Sequence, residues 1–373
     1  MTKLASAQYC ISILESLAPK RYAYDGDPIG LQVGSLHKKT AKIMIALDVL
    51  EEVVDEAIEN HVDLIIAHHP FIYVPLKRID TSTAKGRTIQ KLLQHEITVY
   101  AAHTNLDVAK GGVNDWLADA LQLENRDILQ QTRSEELMKL AVFVPITHAE
   151  NVREALGNSG AGHIGQYSHC SFSTEGTGTF KPLEGSTPFI GNKGKLEKVK
   201  EVKMETILPT ALQNKAVTAM IKAHPYEEVA YDLYPLKNSG EPLGIGRIGL
   251  LPKPMDLEEL SQYVKQTFGL QAVRAVKGHN RMISKVAVVG GDGNKFISAA
   301  LAKGADVLIS GDIYYHNAHD AQESGLSIID AGHNIEKIMK SGLKELFETE
   351  LKKDHYTTEV ILSNIHTDPF TFL

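Results

Sequence analysis

Short apolar runs alternate with helical patterns along this chain, and the alternation repeats. Residues Lys42–Ala46 (KIMIA) form an apolar run of strand length, followed from Asp48 by the amphipathic pattern LEEVVDEAIEN. A second run, residues 62–67, ends at His68 and His69. Far along the chain, residues 285–289 (KVAVV) lead through the turn GGDGN into FISAALAKGA, and the run 306–310 ends at Gly311 and Asp312. The spacing agrees: 21 residues separate Lys42 from Asp63 and also Lys285 from Asp306. Both halves continue alike. Residues 97–102 predict a strand that ends at His103, with Asp107 four residues on. Residues 326–331 predict a strand ending near His333, with Glu336 three residues after it.

Strands alternating with helices imply βαβ units and a largely parallel sheet, so the fold class is α/β with two similar halves. In such sheets ligands gather at the carboxyl ends of strands, where the polar residues named here fall. Between the halves the rhythm changes. Residues 140–145 read as a strand, THAENVREALGNSG as a helix closed by glycine, and HIGQYSHCSFSTEGTGTF as a strand pair. Then come a strand at 199–208, the helix PTALQNKAVTAMIKA with proline at its start, and a strand at 229–234. The order β-α-β-β-α-β is that of a ferredoxin-like α+β unit. It divides the chain into 1–132, an insertion at 133–238, and 239–373, with the glycine-rich EPLGIGRIG returning the chain to the main domain.

Composition narrows the function more than the fold. The hydrophobic share of 43% and charged share of 23% are ordinary for a globular protein. A net charge of −7 without a basic run argues against a nucleic-acid surface. No stretch approaches the roughly 18 apolar residues of a membrane span, and MTKLASAQYCISILESL reads as an amphipathic helix rather than a signal peptide. Cys10 and Cys170 are the two cysteines, too few for a disulfide framework or a thiolate zinc site. These features point to the cytoplasm, and any metal must be held by histidine and carboxylate.

The chemistry-bearing residues each have a plain alternative. Adjacent strand residues face opposite sides, but at a strand end entering the turn at Pro70 the rings of His68 and His69 can diverge toward two neighbouring ions. Otherwise they are a capping or surface pair. Asp107 offers a short carboxylate to bridge two cations, or caps a turn before Gly111 and Gly112. His333 and Glu336 share a face on a first helical turn, or Glu336 is a helix N-terminal charge. His103 is a further ligand, a support for one, or a substrate contact. His316 and His319, at helical spacing after GDIYY, act as acid or base or lie on the surface, and Asp312 is placed to hold an imidazole tautomer. Gly290-Gly291-Asp292-Gly293-Asn294 lacks the Lys-Ser/Thr ending of a phosphate loop and reads as a tight turn. His224-Pro225-Tyr226-Glu227-Glu228 marks a small-ligand site or a helix-to-strand turn.

At AHHP, AAHTNLDVAKGGVND and DAGHNIEK the sequence resembles the NIF-three-like family, whose members are often labelled GTP cyclohydrolase I type-two homologs. GDPIGLQVGS, GGDGNK and ISGDIYYH add to the match, and GAGHIG, EGTGTF and HPYEEVAYDLYPL resemble the insertion of longer bacterial members, similar to PII or CutA proteins. The resemblance implies metal ligands at His68, His69, Asp107, His333 and Glu336, although many members place the last carboxylate four residues after the histidine rather than three. It also implies a toroidal homohexamer with two divalent ions per chain (zinc first, with iron or manganese as alternatives) facing an inner cavity.

The function expected on these grounds is a metal-dependent hydrolase of a nucleotide-like or phosphorylated small molecule, with His103 or His319 shuttling a proton. In that reading Asp107 is the carboxylate shared by both ions. A different class of function is a metal-binding regulatory or chaperone-like protein whose inserted domain senses a small ligand. An adaptor role in transcription is a third.

Overall fold

The computed structural model describes residues 3–373, and the chain divides into two compact units. One runs to Thr132 and resumes at Leu243; the other is Arg133–Pro242.

In the first unit, the strands Lys42–Ala46, Leu64–Ala67 and Thr98–Ala101 pair in parallel, with Glu359–Leu362 parallel on one edge and Gly30–Val33 antiparallel on the other. Their side chains alternate between two cores. Ile43, Ile45, Leu64, Ile66 and Tyr100 face one, while Met44, Ala46, Ile65, Ala67 and Val99 face the other. Burial on both faces is why these strands read as unbroken apolar runs. The second half repeats the plan, with Ile283–Asp292, Val307–Gly311 and Ser327–Asp330 in parallel order. The equal spacing of the halves has a physical basis. The Asp63 carboxylate accepts from the backbone N–H groups of Ala41 and Lys42 at 2.6 and 3.1 Å. Asp306 accepts from those of Ser284 and Lys285 at 3.0 and 2.9 Å. Each aspartate thus fixes the start of one strand against the start of the next.

The second unit keeps the expected order β-α-β-β-α-β, with helices Ala149–Asn158 and Gln213–Ala223. Residues 137–145 pair antiparallel with 201–209, and Ser171–Phe180 pairs with Glu197–Pro209. Leu140, Val142, Val152, Leu156, Met204 and Met220 form its core.

Several expectations change. The segment read as a strand pair holds one long strand, Ser171–Phe180, preceded by a tight turn closed by the Ile164–Tyr167 bridge. The short strands at 140–145 and 229–234 belong to the much longer Glu124–Pro145 and Tyr231–Met255. EPLGIGRIG therefore lies within a strand, where Gly244 admits the Gln130 carbonyl 2.1 Å from where a Cβ would stand. The N-terminal helix is Ala7–Leu17, capped by Ser6 Oγ accepting from Tyr9 N–H; Met1 and Thr2 lie outside the described residues. Among the described residues no helix is long and apolar enough to cross a membrane, and Cys10 and Cys170 are unbonded.

Candidate metal centre

Four histidines and two carboxylates converge where strands of both halves end. His68 and His69 directly follow Leu64–Ala67, with backbone N–H groups still bonded to Ala46 O and Leu47 O. His103 precedes the short helix Thr104–Val108, so Asp107 sits on a helical turn. His333 opens a 3-10 turn, His333–Ile338, instead of a first α-helical turn. In 3-10 geometry residues three apart eclipse. Glu336 therefore lies directly against His333, Oε2 to Nε2 at 3.1 Å.

The four rings are oriented alike. His68 Nδ1 bonds Ala102 O at 2.8 Å, His69 Nδ1 bonds Asp48 Oδ1 at 2.7 Å, His103 Nδ1 bonds Asp27 Oδ1 at 3.0 Å, and His333 Nδ1 bonds Asp312 Oδ2 at 2.7 Å. All four partners are oxygen acceptors, so Nδ1 donates and the lone pair of each neutral ring resides on Nε2. Asp312 does what its position in the sequence suggested. Its backbone is left-handed, φ 57°, a conformation aspartate tolerates better than most residues.

Around these nitrogens stands a carboxylate. Glu336 Oε2 is 3.0 Å from His69 Nε2, 3.1 Å from His333 Nε2 and 3.7 Å from His68 Nε2. Three groups of ligand atoms lie within 4.8 Å of one another: His68 with Asp107 and Glu336, His69 with His333 and Glu336, and His68 with His69 and His103. Glu336 is the carboxylate common to two of them, and Asp107 belongs to one. The donor set passes a test of fit to a cation. His68 Nε2 and Asp107 Oδ1 are buried without any hydrogen-bond partner, 3.6 Å apart. That is too long for a hydrogen bond, yet near the roughly 3.4 Å between two ligands of one tetrahedral ion with bonds of about 2.1 Å.

The electrostatics tell the same story. Burial pushes the Asp107 carboxyl up, against the pull of His68, and the neighbouring Glu336 charge adds to the rise. Burial also acts to raise Glu336, but His68, His333 and His69 outweigh it and hold this carboxyl well below the usual range. For His69, burial lowers the pKa while hydrogen bonds to Asp48 and Glu336 overcome it, giving about 10. His333 rises to about 9, chiefly through its hydrogen bond to Glu336.

Other residues fall elsewhere. His319 belongs to none of the three groups; it is exposed on the helix Tyr315–Glu323, its ring edge-on to Tyr315, as is that of His316. The GGDGN segment is a structural turn: Gly290 N bonds Asn114 Oδ1, Gly293 N bonds Gly311 O, and Asn294 N bonds Asp292 Oδ1. His224 is a buried turn residue between Phe143 O and Tyr226 N. Sequence reading missed Asp48 and Asp27. The signal was available for Asp48, because it too follows the end of a parallel strand.

Comparison with known proteins identifies the family. The chain is 56% identical to the GTP cyclohydrolase 1 type 2 homolog of Halalkalibacterium halodurans over 371 residues, covering 100% of both, and 52% identical to the protein of that name from Bacillus subtilis over 373 residues, again covering 100% of both. A crystal structure of a Bacillus cereus protein related to NIF3 matches it with a TM-score of 0.94 at 53% identity, covering 100% of each chain. The family profile described as Duf34/NIF3 (NGG1p interacting factor 3) matches residues 5–369. The chain belongs to the Duf34/NIF3 family.

Proposed function

We propose that this protein is a hydrolase of a nucleotide-like or other phosphorylated small molecule, dependent on two divalent ions held by His68, His69, Asp107, His333 and Glu336. One observation carries the reading: three imidazole Nε2 atoms surround a single carboxylate oxygen of Glu336 at 3.0 to 3.7 Å, beside two buried polar atoms that lack partners. A histidine and carboxylate set without thiolate suits zinc, iron or manganese, with zinc the first to test. Ions bound there would polarise a phosphoryl or carbonyl group and offset the charge that develops on it.

The chain's own groups supply the rest. Asp48 and Asp312 keep the rings of His69 and His333 turned with Nε2 inward. His103, tied by Nδ1 to Asp27 and stacked edge-on against His68 and His69, carries the proton between water and leaving group on its other nitrogen. His319 is set aside in this reading because it lies exposed against Tyr315. A homohexameric assembly in the cytoplasm and a PII/CutA-like character for Arg133–Pro242 belong to the same proposal, the latter supported by its β-α-β-β-α-β order.

Elemental analysis of metal-supplemented protein and of its His68→Ala and Asp107→Ala variants, followed by a turnover screen of nucleotides and phosphoesters, tests it. Turnover that disappears together with the metal supports the hydrolase. About one ion or none per chain overturns the two-ion site, and full metal without turnover of any compound favours a metal-binding regulator.

A further inference from the structure

Beside the metal centre, within the same unit, lies a cavity of about 560 Å3 that His333 and Asn334 line on one side. Sites for small molecules span about 300–1,000 Å3, so the space suits a ligand of nucleotide size. The C-terminal segment forms another part of its wall through His366, Asp368, Phe370 and Phe372. That segment is tied down: Ser363 Oγ and Asn364 N bond the Glu56 carboxylate at 2.5 and 2.8 Å, and the Thr367 hydroxyl bonds Asp48, the aspartate that holds His69.

Part of the polar lining is already satisfied within the protein. Arg274 is committed to Asp330 and Ile313 O. Asp330 also accepts from Ile313 N and Gly332 N, Asp312 holds His333, and Asp368 accepts from Phe370 N. Among the described residues, the side chains of Gln271, Asn334, Lys337, His366 and Thr371 line the cavity without meeting the hydrogen-bonding capacity they present to it, and Asn334 and Lys337 are the two that share the 3-10 turn of His333. Among the described residues, the half-buried Lys337 side chain on the 3-10 turn has no hydrogen bond or ion pair, its charge opposed by that of Lys340. Asn334 is 8% exposed, and its Oδ1 is buried without a partner. A buried amide oxygen left unpaired is costly. Because the two ends of the amide interchange by a flip, it can meet either a ligand donor or a ligand oxygen. In the C-terminal part of the wall Phe370 and Phe372 are 71% and 53% exposed, large aromatic faces with little protein against them.

We propose that this cavity is the substrate chamber of the metal centre and takes a small molecule joining a phosphate to a planar aromatic ring. Lys337 and Asn334 bind the phosphate end beside His333, and Phe370 and Phe372 stack on the ring. The assignment rests on the hydrolase reading above and gives it a substrate class.

Calorimetric titration of the full-length, metal-supplemented protein with AMP, adenosine and inorganic phosphate separates the two ends of such a ligand. AMP should bind more tightly than either fragment. Lys337→Ala should weaken AMP about tenfold, as for loss of one charge-assisted hydrogen bond, and leave adenosine unchanged. The Phe370→Ala, Phe372→Ala double variant should weaken AMP and adenosine but not phosphate. Lys337→Gln, which keeps the stem, guards against a folding defect, with thermal melts run on every variant. AMP binding no tighter than its fragments, or unaltered in the Lys337 and Phe variants, overturns the chamber. Metal content measured on the same samples keeps the two ideas apart: protein that lacks metal yet shows this pattern sinks the hydrolase and leaves the chamber, while metal and turnover kept with AMP indifferent to all the variants sinks the chamber alone.

Discussion

Replacing Gly291 by alanine puts the geometry of the centre to a direct test. Gly291 has φ +66°, and a Cβ built on it would lie 2.6 Å from Glu336 Oε1 and 3.3 Å from His333 Nε2. Two costs follow. The left-handed backbone costs a residue with a Cβ about 1–2 kcal/mol relative to glycine. The Cβ also drives the Glu336 carboxylate back by roughly 0.5 Å or more, about the positional tolerance of a metal site. Gly269 provides the control, because it has φ +61° and nothing within 4 Å of its Cβ position. Gly269→Ala should therefore show the backbone cost alone, lowering Tm by about 2–4 °C per kcal/mol. Gly291→Ala should show that loss together with zinc affinity weakened about tenfold or more, read by competition with a chromogenic chelator. If Gly291→Ala holds zinc as tightly as the parent protein while both variants lose stability, Glu336 is not the shared ligand and the assignment of the centre is wrong.

Two further outcomes follow from burial. Arg247 is 5% exposed and bonds both oxygens of Asp115, at 2.6 and 2.7 Å, so Arg247→Ala leaves that half-buried carboxylate with only the Gly111 N–H among these partners and should cost about 3 kcal/mol in urea unfolding; a loss below about 1 kcal/mol would contradict the pairing. In the second unit, burial lowers the pKa of His224 from 6.5, against its hydrogen bond to Phe143 O. The unfolded chain then binds the proton more readily than the folded one, so this contribution is full above pH 6.5 and is lost as pH falls through the folded value. Thermal melts from about pH 8 to about pH 5 should show that loss, and His224→Gln should flatten it; an unchanged slope would place the titration elsewhere.

Much of the first unit was legible because its parallel strands are covered on both faces. That burial makes each strand an unbroken apolar run, and the Asp63 and Asp306 clamps sit 21 residues after Lys42 and Lys285 in both halves. The long strands Glu124–Pro145 and Tyr231–Met255 were not legible. Much of their length is exposed, and an exposed strand carries no apolar alternation to read. The 3-10 turn at His333 was hidden for a different reason, since a spacing of three residues fits the face of an α-helix as well.

By itself the sequence determined the buried parallel strands, the repeat and which residues could offer lone pairs to a cation, because local burial and side-chain chemistry are written residue by residue. It could not determine which carboxylate stands at the centre. That depends on the distances among side chains hundreds of positions apart: Glu336 reaches His69 across 267 residues of chain, while Asp107 lies 3.6 Å from His68. Nor could it show that Asp48 both holds His69 and anchors the C-terminal wall of the neighbouring cavity. Such convergence is a property of how the two halves pack, and packing exists only in three dimensions.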